Sequence, residues 1–224
     1  MTTPGAGGYE WQTAEHVDRY TARLQALTAE RKAGFAGILG ELPADKEVPL
    51  RITDLGAGDG AVAELVLDTY PRAEAVLVDF SPVMMDKGIK RMRRFGKRYR
   101  YLTWDMNVGA WPLDLTGPFD AIVSSAAVHH LQNDRKKWLA AAVFARLTEG
   151  GVYANYDLFR NPDAAYPAGE IHDRTLATID EARQFLTDAR YSDVSVTARS
   201  ARPSHQGEVA LIVGRKQTMT TAAK

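Results

Sequence analysis

The spacing of apolar residues changes several times along the chain. From Glu10 to about Leu42, Val17, Tyr20, Leu24 and Leu27 recur at helical spacing, followed by Phe35, Ile38 and Leu39. Leu42-Pro43-Ala44-Asp45 closes that section. Short apolar runs then alternate with amphipathic ones. RITDLGA (51–57), AEAVLVDF (73–80), RYLTWDM (100–106), FDAIVSSA (119–126) and GGVYANYDL (150–158) predict strands. AVAELVLDTY (61–70), SPVMMDKGIKRM (81–92), NDRKKWLAAAVFARL (133–147) and TIDEARQFLTDA (178–189) predict helices. Repeated βα units of this length imply a parallel sheet with helices on both faces. DVSVTARS (193–200) and EVALIVGRK (208–216) break the rhythm, because their short loop has no room for a crossover helix. They predict an antiparallel hairpin. The expected organisation is a flexible N-terminus (1–8), a helical N-terminal cap (9–48), an α/β core (49–216) and a tail (217–224).

Composition narrows the classes. The 224 residues carry 28 basic and 28 acidic side chains, for a formal net charge of zero. A strongly basic nucleic-acid binder would look different. There is no cysteine, which removes disulfides, thiol nucleophiles and cysteine-ligated metal sites. MTTPGAGGYEW lacks the basic and apolar regions of a signal peptide, and no apolar run is long enough to span a bilayer. The expectation is a soluble, cytoplasmic protein.

The first predicted strand runs into ITDLGAGDGAVAE (52–64), with Gly56, Gly58 and Gly60 in the turn. Such a turn lets a ligand approach the backbone. A phosphate-binding loop needs a Lys-Ser/Thr pair after its glycines, and Ala61-Val62 stands there instead. Gly56, Gly58 and Ala61 do satisfy a dinucleotide fingerprint, with Asp79 at the distance of a ribose-binding acid. The turn alone leaves the ligand open.

Further segments choose between ligands. Asp-Leu-Gly-Ala-Gly-Asp-Gly (54–60), Val-Asp-Phe-Ser-Pro (78–82), Trp-Asp-Met (104–106), Phe-Asp-Ala-Ile-Val-Ser-Ser (119–125), His-His-Leu (129–131) and Leu-Thr-Glu-Gly-Gly (147–151) occur in this order. With them the chain resembles the class I S-adenosylmethionine-dependent methyltransferases over about residues 10 to 216. The resemblance implies a Rossmann-like α/β fold: seven strands, mostly parallel, the last antiparallel. It implies S-adenosylmethionine as cofactor and S-adenosylhomocysteine as product. In that reading the backbone at Gly56 and Gly58 meets the methionine part, and Asp54 orients the turn and the ligand's ammonium. Asp79 accepts the ribose hydroxyls. Asp105 accepts from the adenine amino group, Met106 presents backbone to the ring, and Phe80 is core or adenine-facing. Ser124 lies near the sulfonium.

The acceptor belongs beyond the carboxyl ends of the strands. A nucleophile that must lose a proton is served by histidine near neutral pH. His129 and His130 follow the fourth strand, and one of the two is expected to face inward. His130-Leu131 is similar to the active-site segment of phosphoethanolamine methyltransferases, where that histidine works with a tyrosine from an N-terminal helix. The resemblance therefore points to His130, with Tyr20 as partner. The acid those enzymes carry in this loop is Ala126 here, so their substrate does not carry over. Tyr156, Asp157, His172, Arg199, Arg202 and His205 are the candidate substrate contacts. No metal is expected, since the fifth strand ends Tyr156-Asp157-Leu158 and the loop after the fourth lacks an acid.

KGIKRMRRFGKRYR (87–100) is the strongest local charge run. It reads as a solvated helix face whose buried side is Ile89 and Met92. It also keeps an RNA or protein substrate as the alternative to a small molecule, beside a cofactor-binding module without turnover.

Overall fold

The computed structural model describes residues 10–26, 28–163, 175–202 and 207–218, and the side chains of Tyr20 and Arg202 among others fall outside what it describes. A short 3-10 turn at Glu10–Gln12 precedes α1 (Ala14–Ala26) and α2 (Thr28–Gly40). There follow β1 (Arg51–Leu55), α3 (Ala61–Thr69), β2 (Glu74–Asp79), α4 (Pro82–Met92), β3 (Tyr99–Thr103), β4 (Phe119–Ser125), α5 (Asn133–Phe144), β5 (Leu147–Arg160), α6 (Ile179–Asp188), β6 (Ser192–Arg202) and β7 (Gly207–Arg215). The seven strands form one sheet in the order β3-β2-β1-β4-β5-β7-β6. β1 to β5 pair in parallel, and β7 inserts antiparallel between β5 and β6. The expected Rossmann-like sheet with an antiparallel last strand is therefore present.

Alternation along the strands builds two cores. Ile52, Leu77, Val123 and Leu211 pack with Ile38 of α2, Val66 of α3 and Met92 of α4. Leu55, Val78, Ile122, Tyr153 and Ile212 pack on the other face with Leu139 and Val143 of α5 and Phe185 of α6. Strand reversal after β1 and β4 lies at the same edge, because Leu55 pairs with Ser124. Arg160 pairs with Gly207, and Gly207 with Arg202, so the β6–β7 connection returns to this edge too.

One expectation about the basic stretch is corrected. Ile89 is 47% exposed, and the buried positions of α4 are Met84, Gly88 and Met92. These three are four residues apart and share one face, with Gly88 under the Tyr101 ring; Ile89 is turned about 100° away. The cations stay on the solvated face, where several are tied to neighbouring groups. Arg91 binds Asp59 and Glu64 at 2.6 and 2.8 Å, and Arg94 binds Glu64 and Asp68 at 2.8 and 2.5 Å. Arg98 donates to the carbonyls of Leu67, Tyr70 and Pro71. No helix among the described residues is long and apolar enough to cross a membrane.

Candidate active site

β1 ends in a turn whose three glycines have φ of +69°, +54° and +79°. That left-handed backbone is where glycine is cheapest. A Cβ on Gly56 would stand 2.2 Å from the Cβ of Ala127, so the turns after β1 and β4 touch. Beneath them Asp54 is 1% exposed, and its Oδ2 has no hydrogen-bond partner among the described residues. Burial pushes its carboxyl up to about 7; the Ala63 amide opposes the shift, and the charges of Asp79 and Asp59 add to it. A buried acid with a spare oxygen fits a ligand that brings a cation to this turn.

Asp79 ends β2. Its Oδ2 accepts from the Gly58 N–H at 2.7 Å and its Oδ1 from the Ser81 N–H at 2.8 Å. Burial raises its pKa, and the amides of Ser81, Gly58 and Phe80 oppose that. Each oxygen accepts one of these bonds, which leaves lone pairs for a ligand diol. Ser81 caps α4 by accepting from the Met84 N–H at 3.2 Å, and its hydroxyl donates to the Trp11 carbonyl. The 3-10 turn before α1 is thereby docked at the cofactor edge. Phe80 is half-buried and Met106 buried. Asp105 Oδ1 accepts from the Asn107 N–H at 2.8 Å, and the Met106 carbonyl accepts from Arg135 Nε. The Ser124 hydroxyl donates to the Leu55 carbonyl at 2.8 Å, tying β4 to β1.

Beyond β4 the backbone reverses at Ala126, a non-glycine with φ of +54°. Such a residue costs on the order of 1–3 kcal/mol. Its N–H donates to the Tyr156 carbonyl at 2.9 Å, which fixes the following turn, Val128–His130. The His129 backbone N–H donates to Asp157 Oδ2 at 2.9 Å, and its ring Nδ1 lies 2.5 Å from Oδ1. The Leu158 N–H also donates to Oδ1, at 2.9 Å. A carboxylate there makes Nδ1 the ring's donor and leaves Nε2 as the basic nitrogen of the neutral ring. The His130 ring lies against His129, tilted by 38° with centroids 3.9 Å apart, and meets Trp11 edge-on at 5.8 Å. His129 is the buried member and His130 the half-buried one.

The other candidates are spread. The Tyr156 hydroxyl donates to the Glu30 carbonyl at 3.1 Å, with its ring against Gly34, where a Cβ would come within 2.3 Å. It fastens α2 to β5. Arg199 pairs with Glu208 at 2.5 Å across β6 and β7. His172 and His205 lie outside the described residues, as do the side chains of Tyr20 and Arg202. Sequence reasoning missed Trp11, Lys136 and Asn155. Lys136 had a signal: it stands in an apolar stripe with Leu139, Ala140 and Val143. Asn155 alternates with Tyr153 and Asp157 on one face of β5, which period two would have shown. Trp11 had none, because its contacts with Ser81 and His130 are remote in sequence.

Residues 53–153 match the family described as "Methyltransferase domain". The malonyl-[acyl-carrier protein] O-methyltransferase of Geobacter sulfurreducens is 31% identical over 194 residues, which is 80% of this chain and 69% of that enzyme. The chain belongs to the class I S-adenosylmethionine-dependent methyltransferases. Solved methyltransferases share the fold. An O-methyltransferase family protein from Burkholderia thailandensis superimposes with a TM-score of 0.69 at 14% identity, covering 94% of this chain and 63% of that one. Haemonchus contortus phosphoethanolamine N-methyltransferase 2, in complex with S-adenosyl-L-methionine, gives 0.67 at 12% identity, covering 82% and 52%. This methyltransferase thus spans only half to two thirds of those structures. S-adenosylmethionine is its cofactor, and the orphaned oxygen of Asp54 and the spare lone pairs of Asp79 fit that molecule's ammonium and ribose.

Proposed function

We propose that this methyltransferase moves the methyl group of S-adenosylmethionine to an oxygen or nitrogen of a small molecule, with the edge between β4 and β5 as the acceptor side. The observation that carries the reading is the His129–Asp157 pair at 2.5 Å, set in the turn that touches the glycine loop through Ala127 and Gly56. S-adenosylmethionine supplies an electrophilic methyl on a sulfonium. Asp54 holds the ammonium, and Gly56 and Gly58 line the methionine part. Asp79 accepts the ribose hydroxyls; Phe80, Asp105 and Met106 receive the adenine. Ser124 fixes the end of β4 beneath the sulfonium. A histidine of the 129–130 pair takes the acceptor's proton, at Nε2 in the case of His129, whose Nδ1 is engaged. Residues 9–48 serve as the cap that excludes water, docked through Trp11 and Tyr156, with Tyr20 on its first helix.

A second reading is favoured by the Geobacter relative, whose name gives a malonyl group on an acyl-carrier protein as its acceptor. A carboxylate acceptor is already deprotonated and needs no base. An RNA or protein substrate is less well supported, because Lys87, Arg91, Arg94 and Arg98 of the basic stretch bind within the chain. The test is transfer from methyl-labelled cofactor to pools of metabolites, acyl-carrier conjugates, RNA and protein. Label in the metabolite pool supports the proposal, and label on the carrier-bound acid supports the second reading. Label in RNA or protein alone overturns both. Tight cofactor binding with no transfer would make the chain a cofactor-binding module.

A further inference from the structure

Tyr153, Asn155 and Asp157 stand two residues apart on the face of β5 that looks toward α5 and α6. Between strand and helices lies a cavity of about 40 Å³. Ala140, Phe185 and Ile212 give it an apolar wall, yet His129, Lys136, Tyr153, Asn155 and Asp157 all reach it. Asn155 is 7% exposed, and its Oδ1 has no donor among the described residues. Lys136 is also 7% exposed. Its Nζ donates to Asn133 Oδ1 at 3.2 Å and to the Thr175 carbonyl, which uses two of its three N–H groups. A cavity of this size with several polar side chains in its wall accommodates an ordered water that finds two to four partners.

We propose that Lys136 is a positioning residue for the His129–Asp157 pair, acting through water held in this cavity. The water accepts the third Lys136 N–H and donates to Asn155 Oδ1 and to the Asp157 carboxylate, which already accepts from the His129 and Leu158 amides. The ammonium thereby fixes the negative partner of the imidazole. The catalytic consequence rests on reading this edge as the acceptor side; the water link itself does not.

The arrangement carries a pH signature. The charged and titratable groups around the cavity are Asp157 and Tyr153 from β5, His129 and His130 from the turn, Lys136 from α5 and Glu181 from α6. Burial pushes the Lys136 ammonium down to about 8, while the charges of Asp157 and Glu181 oppose the shift. As pH rises through that value the lysine becomes neutral and the link weakens.

The test uses the full chain with Lys136→Met, Lys136→Arg and Asn155→Leu. One readout needs no substrate: the downfield proton resonance of the His129 ring N–H bonded to Asp157. In the wild type it is expected to be sharp at neutral pH and to broaden as pH rises through about 8. Lys136→Met should broaden it at every pH, and Lys136→Arg should keep it sharp above pH 8, since guanidinium stays charged there. The second readout is turnover. Lys136→Met should lower kcat by about tenfold to a hundredfold, with cofactor affinity unchanged. A resonance in Lys136→Met identical to wild type at every pH overturns the proposal. If Lys136→Met fails to fold, Asn155→Leu interrogates the same water: broadening supports the proposal and a wild-type resonance overturns it. Expected resonances in an enzyme that methylates no small molecule leave the positioning role standing and discard the acceptor reading instead.

Discussion

Asp79 and Asp157 have matching places in the sheet. Each lies near the carboxyl end of a strand that pairs in parallel, each is buried, and each accepts backbone N–H bonds from residues around it. They differ in what comes from across the edge. Asp157 receives the His129 imidazole at 2.5 Å, so a side chain takes up part of its remaining capacity. Asp79 receives no side chain among the described residues, and its remaining lone pairs are left beside the glycine turn. The same residue in the same setting is left open in one place and bound to an imidazole in the other, which is why we propose the first as a ligand acceptor and the second as an orienting group. The neighbouring loop decides: one of left-handed glycines that leaves backbone exposed, one that turns at Ala126 and delivers a histidine.

Breaking the β4–β5 side should have the largest effect. Asp157→Ala removes the carboxylate that accepts from the amides of His129 and Leu158 and from the His129 ring. Stability is expected to fall by about 3 kcal/mol or more, read by denaturant unfolding, and kcat by at least roughly a hundredfold. Replacing the histidines one at a time sharpens the contrast. His129→Ala or His130→Ala should lower kcat about a hundredfold for an amine or hydroxyl acceptor, according to which is the base, with cofactor affinity kept. For a carboxylate acceptor neither should cost as much, so steady-state rates on both acceptor classes separate the two functional readings.

On the β1–β2 side the effects are smaller and fall on binding. Asp79→Ala should weaken cofactor affinity by about 1.5–3 kcal/mol, measured by calorimetry. Asp54 gives a protonic signature. Its folded pKa is raised from 3.8 to about 7, so its contribution to stability is complete below 3.8 and is lost as pH rises through about 7. A ligand ammonium beside it reverses the shift. Cofactor binding at pH 6.5 is therefore expected to release protons, seen by calorimetry in buffers of different ionisation enthalpy, and Asp54→Asn should abolish the release. The smallest effect is expected from Arg91→Ala. Its ion pairs are partly exposed and worth under about 1 kcal/mol in thermal unfolding, with no change in cofactor affinity.

The two regions also differ in how much the sequence reveals. Gly56, Gly58, Asp54 and Asp79 lie within two consecutive βα units, so spacing brings them together and the family resemblance supplies their expected roles. The parallel strands follow from the alternation of apolar and amphipathic runs, the antiparallel hairpin from the short β6–β7 connection, and the seven-stranded sheet from the family resemblance. The His129–Asp157 pair spans β4 to β5, and adjacency of the histidines gave no hint that their rings touch. Tyr156 and Asp157 were marked as substrate contacts from their position at the strand end. Period two puts them on opposite faces, Tyr156 against α2 and Asp157 against α5, and both bond within the chain. Trp11 is legible only in three dimensions, since what places it is a carbonyl that accepts from Ser81, seventy residues away.

The division between the two sides is tested most directly by titrating S-adenosylhomocysteine into the wild type, Asp79→Asn and Asp157→Asn by calorimetry. Asp79→Asn should bind at least about tenfold more weakly, and Asp157→Asn should bind as the wild type does. Equal weakening in both variants, or wild-type affinity in Asp79→Asn, would contradict the account.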